Sequence, residues 1–352
     1  MAHQIINNIQ IKGISTCVPK NVELNEAYPF FIEGEADKVI NSTGIKKRHI
    51  APEDVTASDL CLQAAEELIS NLNWDKDQID LLIFVSQSHD YILPATSCVL
   101  QGKLNLPVTC ACFDISYGCS GWIYGMAVIS SLMSCGYMKK GLLLVGDTPS
   151  KFKNRKDKTA WPLFGDAGSA TAIEFKEGAN PIYFSLFSEG SKYESIIIPE
   201  GGCRVPFNDN SLKENKYGEG IVRRPIDSVM DGMNVFSFGM TKGPEVTLDV
   251  LGLANKSIDD INYFFFHQAN LFMNEKIRKK LKISPEKVPY SLEEYGNTSC
   301  TTIPLTIDYN FKNPKDLNGK EIVATAFGVG LSWGALCTKL ENLEYLSLKE
   351  YE

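Results

Sequence analysis

The stretch Asp77-Gln78-Ile79-Asp80-Leu81-Leu82-Ile83-Phe84-Val85 runs from an acidic lead into an unbroken apolar segment, the pattern of a strand covered on both faces. Asp259-Asp260-Ile261-Asn262-Tyr263-Phe264-Phe265-Phe266 has the same form, and Ile79 and Ile261 stand 182 positions apart. Further pairs keep nearly that offset. Ser116-Tyr117-Gly118-Cys119 matches Glu294-Tyr295-Gly296-Asn297, with Tyr117 and Tyr295 separated by 178 positions, and Leu142-Leu143-Leu144-Val145-Gly146 matches Ile322-Val323-Ala324-Thr325-Ala326. An alternating strand opens each copy, Ile9–Ile14 and Ile182–Phe187. Order and spacing agree better than identities do, which points to two copies of one α/β unit. The halves are assigned to residues 1–178 and 179–352, with the joint beside Asn180-Pro181.

The segments between these strands fit the same layout. Ser58–Ile69 carries Leu60/Cys61, Ala64/Ala65 and Leu68/Ile69, one apolar helix face that Thr56 or Ser58 can cap. Cys119–Met133 is apolar nearly all round and ends at Gly136, so it reads as a helix buried on several sides near the centre of the molecule. Glu189–Arg224, rich in Gly, Asn, Lys and Pro, reads as a long surface excursion.

Composition bounds the rest. A chain of 352 residues with 44% hydrophobic and 22% charged residues has material for a large core, which excludes disorder, collagen-like repeats and coiled coil. No run of about 18 apolar residues is present, so no membrane-spanning helix is expected. Met1-Ala2-His3-Gln4 lacks a signal-peptide pattern. A net charge of -8 argues against nucleic acid as a general partner. The ten cysteines are scattered with no Cys-x-x-Cys pair, so neither a metal site nor a disulfide framework is expected. A reducing cytoplasm fits this usage, with most thiols serving as small core residues.

One of those thiols is placed for chemistry. Cys119 follows Tyr117-Gly118 and precedes an apolar helix, where the positive end of the dipole and free amides lower a thiol's pKa. The same placement would also suit a structural cysteine. With four histidines in the chain, a catalytic imidazole must be His3, His49, His89 or His267. His3 lies in an end expected to fray, and His49 follows Lys46-Lys47-Arg48 and reads as structural. His89 follows the first-copy strand, whereas His267 ends the second-copy strand and leads into Gln268-Ala269-Asn270. Ligands bind at the C-terminal ends of such strands, which puts His267 first. Asn297, taken alone, is a turn residue after Gly296. As the counterpart of Cys119 it would approach the thiol about a pseudo-two-fold, where an amide donor suits an oxyanion. Phe327-Gly328-Val329-Gly330 lets backbone amides come close to a ligand but lacks nucleotide-loop spacing. Lys276, Arg278, Lys279, Lys280 and Lys282 form a basic run just after His267, a solvated face or a dock for an acidic partner. Lys151, Lys153, Arg155, Lys156 and Lys158 form a second cluster, suited to phosphates or to a loop.

With these residues in place the sequence resembles the β-ketoacyl-acyl-carrier-protein synthase III family of the thiolase superfamily over nearly its whole length. The resemblance rests on Ser42-Thr43-Gly44-Ile45-Lys46-Lys47-Arg48-His49-Ile50-Ala51, Gly118-Cys119-Ser120-Gly121, Phe164-Gly165-Asp166-Ala167-Gly168, His267-Gln268-Ala269-Asn270, Tyr295-Gly296-Asn297-Thr298-Ser299 and Phe327-Gly328-Val329-Gly330-Leu331-Ser332-Trp333-Gly334. It implies a thiolase-like duplicated α/β/α/β/α fold and a cytoplasmic homodimer in fatty acid biosynthesis. The implied reaction is a decarboxylative Claisen condensation of a primer acyl thioester with malonyl-acyl carrier protein, through an acyl-cysteine on Cys119. His267 and Asn297 are implied to stabilise the enolate, and the amides of Cys119 and Val329 the second oxyanion. Asn270 and Gly232 match channel positions, and Lys158 a phosphate contact. Leu93 matches the residue a dimer partner inserts at the primer pocket, and Lys276, Lys279 and Lys280 would meet the carrier protein. No cofactor is implied beyond CoA or phosphopantetheine thioesters as substrates. Lys38 and Ser42 stand where relatives clamp adenine between tryptophan and arginine, so acyl-CoA and acyl-carrier primers both stay open. The alternatives are a specialised acyltransferase or condensing enzyme of the same fold, serving a secondary metabolite or surface glycan, and a non-catalytic partner subunit.

Overall fold

The structure is a computed structural model that describes residues 2–352. Two sheets carry the fold. Their strands are β1 (Ala2–Ile6), β2 (Ile9–Val18), β3 (Leu81–Val85), β4 (Ala111–Ile115), β5 (Lys140–Asp147), β6 (Ala167–Phe175), β7 (Ile182–Ser188), β8 (Tyr263–Phe266), β9 (Glu321–Gly328), β10 (Ser332–Lys339) and β11 (Tyr345–Glu350). The first sheet has the order β11-β2-β6-β5-β3-β4 and the second β1-β7-β10-β9-β8. Within them β2-β6-β5-β3 and β7-β10-β9-β8 have the same order and the same directions, two antiparallel joins followed by a parallel one. The duplication read from the sequence is therefore a duplication of topology.

Helices fill the layers. Helix α1 (Ala57–Asn71) covers one face of the first sheet with Leu60, Cys61, Ala64, Ala65 and Leu68. Its start is fixed by Asp59, whose carboxylate accepts from the Thr56 amide at 3.0 Å and the Thr56 hydroxyl at 2.8 Å. Between the sheets lies α2 (Gly121–Met133), buried on nearly every side, with Trp122 donating its indole N–H to Thr171 at 3.1 Å. Beyond the second sheet lie α3 (Gly232–Leu253) and α4 (Leu271–Lys280), packed on Phe264, Phe266, Val323 and Phe327. Helix α5 (Thr302–Asn310) shares the central layer with α2 through Ile303 and Ile307, joined by Cys300 of the preceding turn. The layers read α/β/α/β/α.

Three expectations need correcting. The chain crosses between sheets after Phe175, but the halves are not closed, because β1 lies on β7 and β11 lies on β2. His3 does not fray: it sits in β1, and its Nε2 meets Asp249 at 2.7 Å. The excursion after Glu189 is only partly surface. Its Ile196–Ile197 strand pairs with Val229–Met230 and turns apolar side chains inward, while the Asn215–Gly218/Ile221–Arg223 hairpin folds onto Asp157 and Lys158. Among the described residues no helix is long and apolar enough to cross a membrane.

Candidate active site

Cys119 stands in the turn between β4 and α2, with Ser120 as the cap. The turn is held against the other half: the hydroxyls of Ser120 and Ser332 meet at 2.7 Å, and Ser332 donates to the Val329 carbonyl at 2.7 Å. Glycine is required opposite it. A Cβ on Gly328 would lie 2.5 Å from the Cys119 Cβ and 2.8 Å from its Sγ. The amides of Val329 and of Cys119 itself point at the sulfur and favour the thiolate. Burial nevertheless pushes the thiol up to about 11, reinforced by Asp147, and the two amides and Lys153 only partly offset this. This corrects the expectation of a lowered thiol pKa. The residue is half-buried because one side opens on a cavity, but protein encloses the remainder, and desolvation outweighs the helix end.

His267 follows β8, its amide bonded to the Thr325 carbonyl at 2.8 Å. Its Nδ1 meets the Thr302 hydroxyl at 2.8 Å, which leaves Nε2 for a ligand. Burial lowers its pKa to about 3, so the ring is neutral at physiological pH. Asn297 is clamped by the first half. Its amide donates to the Leu163 carbonyl at 2.9 Å, and its carbonyl accepts from the Gly165 amide at 3.1 Å. Gly165 cannot be replaced without collision, since a Cβ there would lie 2.3 Å from the Tyr295 carbonyl oxygen. The Asn297 Oδ1 accepts from the Ser299 amide at 2.9 Å, and among the described residues nothing takes its Nδ2 hydrogens. Asp166, in the same segment as Gly165, is structural: it accepts from the Ala51 amide at 2.7 Å and the Ser150 hydroxyl at 2.6 Å. His49 is buried against Tyr295, as its reading as structural implied.

These groups line one cavity of about 420 Å³, to which Cys119, His267, Asn297, Val329, Asn270 and Gly232 all contribute. Most of its wall is apolar, including Phe152, Leu163, Ile196 and Met230. Two predicted residues lie elsewhere. Lys158 does not line the cavity, because its Nζ is held by the Glu35 carboxylate at 2.8 and 2.9 Å. Leu93 is 84% exposed on a loop beside Ile92. Lys276, Lys279 and Lys280 lie on α4, whose cap Asn270 is at the cavity. Lys276 sits 5.4 Å from the Phe272 ring centroid, and Lys280 donates to the Met240 carbonyl at 3.3 Å. Arg278 is neutralised by Glu275 at 2.7 Å, whereas the Lys279 side chain is exposed. Sequence reading missed Thr302 and Ser228, and placed Lys153 only in a basic cluster suited to phosphates or to a loop. No motif singled out Thr302 or Ser228, and the run of lysines was the one signal for Lys153.

Known proteins resemble this chain in sequence and fold. Residues 113–190 match the profile of 3-oxoacyl-[acyl-carrier-protein] synthase III, and residues 251–340 that of its C-terminal part. A Campylobacter jejuni protein assigned as a 3-oxoacyl-[acyl-carrier-protein] synthase 3 is 36% identical, covering 95% of this chain and 94% of its own. A β-ketoacyl-[acyl-carrier-protein] synthase III of Fusobacterium nucleatum is 32% identical, covering 95% and 99%. The crystal structure of a 3-oxoacyl-(acyl-carrier protein) synthase from Burkholderia xenovorans superposes with a TM-score of 0.92 at 35% identity, over 99% of this chain and 98% of that one. The layered, duplicated fold is thus the thiolase-like fold, and the chain belongs to the 3-oxoacyl-[acyl-carrier-protein] synthase III family.

Proposed function

We propose that the protein is a cytoplasmic acyltransferase of fatty acid biosynthesis that condenses a primer acyl group with malonyl-acyl carrier protein. The reading rests on one observation: a thiol from the first copy and an imidazole and a carboxamide from the second line a single cavity. Cys119 sheds its proton to solvent and its sulfur attacks the primer thioester carbon. The new C–S bond replaces the bond to pantetheine, which leaves as the thiol. The malonyl thioester then enters the same cavity. His267 Nε2–H and Asn297 Nδ2–H donate to its thioester oxygen, so the electron pair released as carbon dioxide departs is held as an enolate.

The enolate carbon attacks the acyl-Cys119 carbonyl. A C–C bond forms, the oxygen is held by the amides of Cys119 and Val329, and the Cys119 thiolate is expelled and takes up one proton. A tautomer with hydrogen on Nε2 requires the Thr302 hydroxyl to give its one proton to Nδ1 at 2.8 Å in place of the Ser299 carbonyl at 3.1 Å. The carrier protein would meet Lys276, Lys279 and Lys280, and a second copy would cover the exposed Ile92 and Leu93. No cofactor is required. His267→Ala and Asn297→Ala are expected to keep self-acylation and to lose decarboxylation of malonyl-carrier protein. Wild-type carbon dioxide release from either variant would contradict these roles.

A further inference from the structure

Lys153 belongs to a basic run, yet its side chain turns inward and is 9% exposed. It lies on the wall of the cavity that holds Cys119. Its Nζ donates to the Ser228 hydroxyl at 2.6 Å and rests 4.0 Å from the Phe164 ring centroid. Among the described residues no carboxylate is within ion-pair distance of it. The acidic groups whose charge reaches it are Cys119 first, then Asp147, Asp157 and Asp166. Acylation removes the charge of the Cys119 sulfur, and the three carboxylates are engaged elsewhere. The Asp147 Oδ1 accepts from Ser86, Gln87 and Ser88. Asp157 pairs with Arg223 at 2.5 Å, and Asp166 takes Ala51 and Ser150.

A buried cation without a counter-ion is unfavourable and persists where something else supplies the opposite charge. Burial draws the lysine down to about 8, which still leaves it mostly protonated at neutral pH. An ammonium has three N–H donors, and Ser228 takes one. The rings of Phe152 and Phe164, with centroids 5.2 and 4.0 Å from Nζ, attract the cation by their faces, but among the described residues no second side chain accepts a hydrogen bond from it. An uncharged acyl chain in this cavity would leave the cation desolvated with only the aromatic rings and Ser228 to stabilise it. A chain carrying a carboxylate would complete it.

We propose that Lys153, with Ser228, is a specificity determinant that binds the carboxylate of an ω-carboxyacyl primer delivered to Cys119. This rests on the acyl-cysteine reading above. The competing role for Lys153, holding the malonyl carboxylate, is separated by measuring self-acylation with no malonyl substrate present.

The test is a time course of Cys119 acylation, followed by intact-protein mass, with succinyl, glutaryl and adipyl pantetheine against unbranched uncharged acyl pantetheines of equal length. The wild-type protein is expected to react faster with at least one carboxyacyl thioester than with its uncharged counterpart. Lys153→Met should lower that ratio by about 30-fold or more, the effect of removing one partner of a buried charge pair. The ratio is taken within one protein preparation, so a folding defect in the variant cancels. Faster reaction with every uncharged thioester, or a ratio unmoved by Lys153→Met, would overturn the carboxylate assignment. Absence of any adduct would overturn the acyl-cysteine reading and this one with it, whereas uncharged adducts alone would overturn only this one.

Discussion

Thr302→Val keeps the shape of a buried side chain and removes only its hydroxyl. In the native protein that hydroxyl meets His267 Nδ1 at 2.8 Å and the Ser299 carbonyl at 3.1 Å, and it has one proton to give. The proposed mechanism requires that proton to go to Nδ1 in place of the Ser299 carbonyl, which leaves the ring hydrogen on Nε2, where it can meet the malonyl thioester oxygen. Thr302 is 1% exposed, so water cannot replace the lost partner. A buried polar atom left unpaired costs about 1–3 kcal/mol. If the enolate step depends on the Nε2–H tautomer, that loss corresponds to about 5- to 150-fold in its rate. Carbon dioxide release from malonyl-carrier protein should fall by that factor, while acylation of Cys119, followed separately by intact mass, should proceed at close to the wild-type rate. Wild-type carbon dioxide release from Thr302→Val, or an equal loss in both steps, would refute the argument.

Other consequences are as direct. Gly328→Ala places a methyl group 2.8 Å from the Cys119 sulfur, so it should lower the melting temperature through overpacking of about 1–3 kcal/mol and slow acylation. An unshifted melt with wild-type acylation would contradict the close approach. Because burial holds the Cys119 thiol up at about 11, raising the pH should keep increasing its alkylation by iodoacetamide throughout the neutral and mildly alkaline range. A plateau reached near neutrality would mean a stable thiolate and would refute the desolvation argument. Reversing the charge of both Lys279 and Lys280 should raise KM for malonyl-carrier protein but not for malonyl-pantetheine. Equal effects on the two substrates would remove these lysines from the docking surface.

The duplicated core was legible because continuous apolar strands such as Leu81–Val85 and Tyr263–Phe266 announce themselves, and because their order is preserved. Helices α1 and α2 were legible from their apolar faces. The exchange of β1 and β11 was not, since short edge strands with half-exposed residues carry little periodicity. Cys119, His267 and Asn297 could be singled out by position, and the motifs around them by resemblance. The electrostatics could not. A helix start favours a thiolate, but the balance of burial, charge and hydrogen bonding at the sulfur depends on neighbours distant in sequence, such as Asp147, Gly328 and Val329. Lys153 looked like any lysine of a basic run until Ser228 and Phe164 were seen around it. Lys158 looked free until Glu35 was placed against it.

The central claim is a covalent acyl group on one sulfur. Intact-protein mass spectrometry with peptide mapping, after incubation with a panel of acyl-CoA, acyl-carrier and acyl-pantetheine thioesters, tests it without assuming the primer. Cys98, Cys135 and Cys203 are exposed and serve as internal controls for nonspecific reaction. The account predicts one acyl mass on the wild-type protein, mapped to Cys119, and none on Cys119→Ala. Acyl mass persisting on Cys119→Ala, or mapped to one of the exposed thiols alone, would contradict it.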